Sequence, residues 1–235
     1  MFRVVLRYLM IAAIMVISSK LNAAVLVQKV QGDVQVRRGL EEEWRQASNQ
    51  QLLEDVDTIL TLEGEAVLSL QDGSIFKLGP HSIMDIGDLR KISRQEMFLM
   101  VMSQKVQNMA PRNKGSQLEL ANLSSVHGGQ KRTEPDQKNE QTILTWKREF
   151  NAAKAMYQQQ LLPNAVVKLH RIIARYQHID DCGLVSFYLG KSFENMDEPG
   201  QAVDFYQAAL DQSQLCDDSQ TITQDAATAV RRLSD

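Results

Sequence analysis

The chain has 235 residues, 43% of them hydrophobic and 23% charged, an ordinary globular composition with room for two small domains but not for a large one. Its formal net charge of −3 excludes the basic footprint of a DNA- or RNA-binding protein.

Residues 1–23 read as a secretory signal. Arg3 and Arg7 precede an apolar stretch from Tyr8 to Ile17, and Leu21-Asn22-Ala23-Ala24 supplies a small-residue exit with cleavage near Ala23. The stretch falls short of the roughly 20 apolar residues a transmembrane helix needs, and no later segment approaches that length. The expected mature chain is therefore exported, periplasmic and without a transmembrane segment. It is more acidic still, because Arg3, Arg7 and Lys20 leave with the signal.

Residues 24–109 predict a small all-β domain ending in a helix. From Val25 to Ile86 short apolar runs alternate with the turn pairs Gly32-Asp33, Gly64-Glu65, Asp72-Gly73, Gly79-Pro80 and Gly87-Asp88. Asp72-Gly73 suits a two-residue type I′ hairpin, pairing Leu70 with Ile75, Ser69 with Phe76 and Val67 with Leu78. That register puts apolar side chains on both faces, so the hairpin must be covered on both, as in a sandwich or a roll. Ser93 and Glu96 then form a capping box ahead of the run Met97 to Met102, predicting a helix to Met109. A single buried strand is the alternative that periodicity does not separate at this length.

Residues 110–141 hold Pro111, Gly115, Gly128-Gly129 and Pro135 in polar sequence and read as a linker. Leu118 to Val126 is its one apolar island, a candidate last strand for the β domain.

Residues 142–235 change to helical periodicity. Ile143, Trp146, Phe150, Ala153 and Tyr157 make one stripe, and Val166, Leu169, Ile172, Ile173 and Tyr176 another after Pro163-Asn164. Phe187, Leu189, Gly190 and Phe193 follow, Pro199 opens a further helix, and Thr223 to Leu233 closes the end. Cys182 and Cys216 are the two cysteines; in an exported chain they predict a disulfide. With no CxxC, and with His170 and His178 as the histidines of that half, zinc is the weaker reading. The bridge would staple a helical hairpin and add roughly 3 to 4 kcal/mol in the chain-entropy model.

At an offset of 37 residues, Ala152-Ala153 aligns with Leu189-Gly190, Met156 with Phe193, Ala165 with Ala202, Leu169 with Tyr206, and Ile172 with Ala209. These are packing positions of a tetratricopeptide (TPR) repeat, which the second copy resembles well and the first less so, lacking the Leu-Gly pair. The β segment resembles the FecR domain in Gly32-x-Val34-x-Val36-Arg37, Trp44, Asp57-x-Ile59-x-Thr61 with Gly64, Asp72-Gly73-Ser74 and Leu78-Gly79-Pro80-x-Ser82. It departs at Val56, where the family usually has glycine. The fold class these resemblances imply is multidomain β plus α, a FecR-like sandwich or roll followed by a TPR-like array. Two repeats and a closing helix fall short of the about three a solenoid needs, so the array is expected to dock on the β domain or to self-associate.

Catalytic spacings such as HExxH, GxSxG, GxxxxGK[ST] and CxxC are missing from the sequence. The acidic pairs Asp55/Asp57, Asp85/Asp88 and Asp180/Asp181 fall at predicted turns or helix starts, where carboxylates cap and solvate. His127 beside Gly128-Gly129 reads as a loop histidine. Trp44 reads as a partly buried cap on the β core, with stacking on a sugar ring as the alternative.

The TPR resemblance places a partner-binding groove on the first helix of each repeat: Phe150, Lys154 and Tyr157, then Leu184, Phe187, Lys191 and Glu194. Two lysines at equivalent positions beside aromatic residues suit an extended acidic or C-terminal peptide. The expectation is a non-enzymatic envelope adaptor with no cofactor or metal and a periplasmic protein as partner. A peptidoglycan- or glycan-binding module centred on Trp44 is the alternative.

Overall fold

The computed structural model describes residues 25–109, 135–177, 179–214, 216 and 220–234. Residues 1–23, read as a secretory signal, the apolar island Leu118 to Val126 and His127 lie outside these residues.

Eight strands come first: β1 (Val25–Gln31), β2 (Val34–Arg37), β3 (Trp44–Gln46), β4 (Leu52–Leu53), β5 (Thr58–Thr61), β6 (Glu65–Ser69), β7 (Ile75–Leu78) and β8 (Ser82–Asp85). They form two four-stranded antiparallel sheets, β4-β1-β6-β7 and β3-β2-β5-β8. Alternation aims Val27, Leu68, Phe76 and Leu78 inward from the first sheet and Val34, Val36, Ile59 and Met84 inward from the second, and all share one core. Two sheets on a common core make a sandwich.

The β6–β7 hairpin differs from the expected register by one residue. Ser69 pairs with Ile75, Leu68 with Phe76, Val67 with Lys77 and Ala66 with Leu78. Gly73 has φ +79° whereas Asp72 does not adopt a positive φ, and a type I′ turn requires both. The loop is instead Gln71-Asp72-Gly73, closed by the Leu70 and Gly73 backbone bonds to Ser74 and Leu70. A one-residue slip reverses every side chain: Ala66, Leu68, Phe76 and Leu78 are buried together, while Ile75 and Lys77 are exposed. The hairpin therefore has one dry face, not two.

After a 3-10 turn, Ile86–Leu89, come α1 (Arg94–Met109), α2 (Pro135–Gln158), α3 (Leu162–Arg175), α4 (Leu184–Glu194), α5 (Pro199–Ser213) and α6 (Gln220–Ser234). The expected capping box is half formed. Ser93 Oγ accepts the Glu96 N–H at 3.1 Å, but the Glu96 carboxylate turns to Arg90. The helix expected to finish the β domain packs on α3 instead, with Met97 buried in the helical core and Phe98, Met100 and Val101 against it. The segment 110–141 read as linker is also shorter than expected, because α2 starts within it.

Helices α2 to α6 pack on one another in chain order. The residues matched at the 37-residue offset are buried in both copies. Gly190 shows why a side chain is excluded there: a Cβ would stand 2.7 Å from the Tyr206 ring. The disulfide joins Cys182 to Cys216 with the Cα atoms 5.8 Å apart, tying the start of α4 to the end of α5. The closing helix α6 buries Ala226 and Ala229.

The other end of the array docks on the sandwich. Ala152 and Met156 of α2 and Ala165 of α3 complete the β core. The Gln159 amide both donates to the Lys77 carbonyl (2.8 Å) and accepts its N–H (2.7 Å), occupying the free edge of β7 as a paired strand would. Asn164 Nδ2 donates to the carbonyls of Asp88 (2.7 Å) and Arg90 (2.8 Å).

Between the two parts lies a buried ion cluster. Asp88, in the 3-10 turn, accepts from Lys168 Nζ at 2.7 Å and from Arg171, both on α3. The Asp88 and Lys168 side chains are 7% and 5% exposed. Burial alone would push the Asp88 carboxyl up, but Lys168 and Arg171 together outweigh it and hold it below its ordinary value. Nearby, Glu149 of α2 accepts from Arg175 and from Tyr176; burial, and then this carboxylate, push the Tyr176 phenol up to about 12.

A depressed folded pKa adds stability that is complete above the ordinary value of 3.8 and lost as pH falls through the folded value. Asp88→Asn leaves Lys168 buried without its counter-ion and is expected to cost about 3 to 5 kcal/mol in urea unfolding at pH 7. The gap to the unsubstituted protein should narrow below about pH 4; a gap that does not change with pH would contradict this role.

Candidate functional site

The aromatic residues of α2 and α4 converge on Tyr188. Its ring meets Phe150, Tyr157 and Phe187 edge-on, with centroids 5.3, 5.5 and 5.9 Å away, the arrangement favoured by ring quadrupoles. Trp146 stacks on Phe150 at 5.9 Å. Lys154 Nζ lies 5.9 Å from the Tyr188 centroid, and Lys191 Nζ lies 5.4 Å from Tyr157, 5.4 Å from Phe187 and 5.6 Å from Tyr188. Among the described residues, no carboxylate lies within ion-pair distance of either ammonium.

Helical spacing produces this surface. Lys154 and Tyr157 are three residues apart on α2, and Phe187, Lys191 and Glu194 follow at intervals of four and three on α4, so each set shares a face. Tyr157, Phe187, Lys191 and Glu194 line a cavity of about 280 Å³, joined by Asn195, Tyr206 and, from α6, Asp225 and Arg232. Glu194 is engaged inside it, accepting from Tyr206 Oη at 2.7 Å and from Arg232 at 2.6 Å. Burial, and then the Glu194 carboxylate, push the Tyr206 phenol well above its usual range. Asn195 donates to the Tyr157 hydroxyl at 3.2 Å.

Of the seven residues expected in the groove, four line this cavity and Lys154 stands beside its aromatic wall. Phe150 is buried beneath the platform and Leu184 packs on the helical core, so neither is an open contact. Tyr188, Asn195, Asp225 and Arg232 were not read from the sequence. Tyr188 follows Phe187 and faces another way on the helix, and α6 returns to the groove only through tertiary packing.

Trp44 does not cap the β core. It pairs with Arg37 across β2 and β3, and directly opposed residues share a face. Val34 and Val36 occupy the inner face of β2, so Trp44 is on the outer one, half-buried, with the Arg37 guanidinium 5.1 Å above its ring. The acidic pairs mostly act as turn and cap residues. Asp57 accepts from the backbone of Gly39 and Glu54, and Asp181 accepts from Gly183 and Val185 at the start of α4. Asp88 is the exception, because it joins the two parts of the molecule.

No protein-family model, curated protein or solved structure matches the chain.

Cation–π contacts at half-exposed positions contribute about 0.5 to 1 kcal/mol. Lys191→Met keeps the apolar stem on the rings and is expected to change stability by about 1 kcal/mol or less in urea unfolding, whereas Tyr188→Ala removes the platform and should cost about 3 kcal/mol or more. Equal destabilisation by the two would make Lys191 a structural residue.

Proposed function

We propose that the protein is a non-enzymatic, exported adaptor of the cell envelope whose helical array binds an acidic segment of another protein. The observation that carries this reading is the pair of ammonium groups, Lys154 and Lys191, held over one aromatic platform without carboxylate partners among the described residues. An acidic side chain or chain terminus laid along the platform supplies the missing anions, and the rings supply apolar contact for its neighbours. The chain order of the helical hairpins, and the common helical core into which Ala153, Leu169 and Ile172 pack together with Leu189, Ala202, Tyr206 and Ala209, support a TPR-like reading of the array. The disulfide and the absence of a long apolar helix among the described residues are compatible with export. The FecR-like sandwich serves as the rigid base and as a second docking surface.

A second reading, a glycan-binding sandwich, has one observation in its favour: Trp44 lies half-buried on an outer face of the sandwich rather than in its core.

In-cell crosslinking separates them. The mature protein is expected to capture a defined partner that is lost, by at least about tenfold in yield, from the Lys154→Glu, Lys191→Glu variant, since like charge across an interface costs several kcal/mol. An unchanged capture list would contradict the groove, and sedimentation with purified cell wall that disappears in Trp44→Ala would establish the second reading.

A further inference from the structure

Asp180, Cys182 and Cys216 place a carboxylate oxygen and two sulfurs within 4.8 Å of one another. Two of these atoms already sit at the separation a metal ion demands. With zinc bonds of about 2.3 Å to sulfur and 2.0 to 2.2 Å to oxygen, the sulfur–oxygen edge of a tetrahedral site is about 3.5 Å. Cys216 Sγ is 3.6 Å from Asp180 Oδ1.

Contacts other than the disulfide hold the donors in place. Asp180 Oδ1 accepts the Cys182 N–H at 3.1 Å, which orients the carboxylate toward the sulfurs. Asp181 caps the start of α4 through Gly183 and Val185. Gly183, at φ +78°, lies against the Ala209 backbone of α5 so closely that a Cβ would collide with the Ala209 carbonyl. The Cys216 N–H bonds Ser213 O at the end of α5. Opening the bridge therefore leaves both sulfurs near Asp180, and side-chain rotation alone separates them by the about 3.8 Å that a shared cation requires.

We propose that Asp180, Cys182 and Cys216 form a redox-gated site for a thiophilic divalent cation of the zinc class, closed when the disulfide is present. An external dithiol supplies two electrons and two protons, leaves as its own disulfide, and converts the bridge into two thiols. The cation then replaces the two thiol protons, which pass to solvent, and takes two thiolates, the Asp180 carboxylate and a water as ligands. Soft sulfur donors select zinc, or cobalt as its probe, over magnesium and calcium. The ion cross-links the same two helix ends as the disulfide, so the staple persists in either redox state.

The test is a cobalt(II) titration of the mature chain, oxidised and after reduction by a phosphine that is then removed. The reduced protein should bind one equivalent with a near-ultraviolet thiolate-to-cobalt band and melt at a higher temperature with zinc than without. The oxidised protein should show no band. Asp180→Asn, verified as folded by its ability to form the disulfide, should bind at least about tenfold more weakly. A missing band after reduction, binding to the oxidised protein, or equal affinity in Asp180→Asn would each overturn the proposal, the last also covering adventitious binding by unfolded thiols.

Discussion

Asp88 holds its negative charge out of water in the 3-10 turn that follows the last β strand, and the groups that neutralise it are on a helix about eighty residues further along the chain. A buried ion pair adds little net stability relative to apolar packing, but separating it exposes an uncompensated charge to a low-dielectric interior. The Lys168–Asp88–Arg171 cluster therefore works as a latch: it permits one relative placement of sandwich and array and penalises the others. Asn164 and Gln159 extend the same logic to backbone groups that the sandwich leaves unpaired.

The latch works because α2 has two faces. At 100° per residue, Ala152, Met156 and Gln159, which continues the turn one residue past the helix, fall within about 60° of one another, while Trp146, Phe150, Ala153 and Tyr157 cluster roughly 120° away. The first face completes the β core, and the second begins the helical core and the aromatic platform. A single helix thus fixes the groove relative to the sandwich. The array has a covered end on each side, the sandwich with α1 at one and α6 at the other, which is how so few helical hairpins bury a continuous core.

Much of this was legible in advance where the signal was local. The order of β then α, the start of α5 at Pro199 and the Cys182–Cys216 bridge all follow from periodicity, punctuation or cysteine placement, whereas the positions matched at the 37-residue offset are buried for two different reasons, Ala152, Met156 and Ala165 lying against the sandwich and the other side chains in the helical core. The β6–β7 register was not, because Asp-Gly fits both a two-residue and a three-residue loop, and apolar Val67 and Ile75 on the outer face blurred the alternation that separates them. Asp88 looked like any turn carboxylate, since its partners are distant in sequence. A signal was present in Lys168, a cation between Val167 and Leu169 in the apolar run of α3; such a residue must find a buried anion or lose its charge. The groove was half legible, its α2 and α4 residues following from repeat spacing while the contribution of α6 depended on where that helix returned.

Sandwich and array, joined through α2, α3 and the Asp88 cluster, should melt as one cooperative unit, and differential scanning calorimetry of the oxidised protein checks this. One transition with equal calorimetric and van't Hoff enthalpies is predicted, splitting into two when Lys168 is replaced by Met. Two transitions in the unsubstituted protein, or one that Lys168→Met leaves unsplit and unshifted, would contradict it.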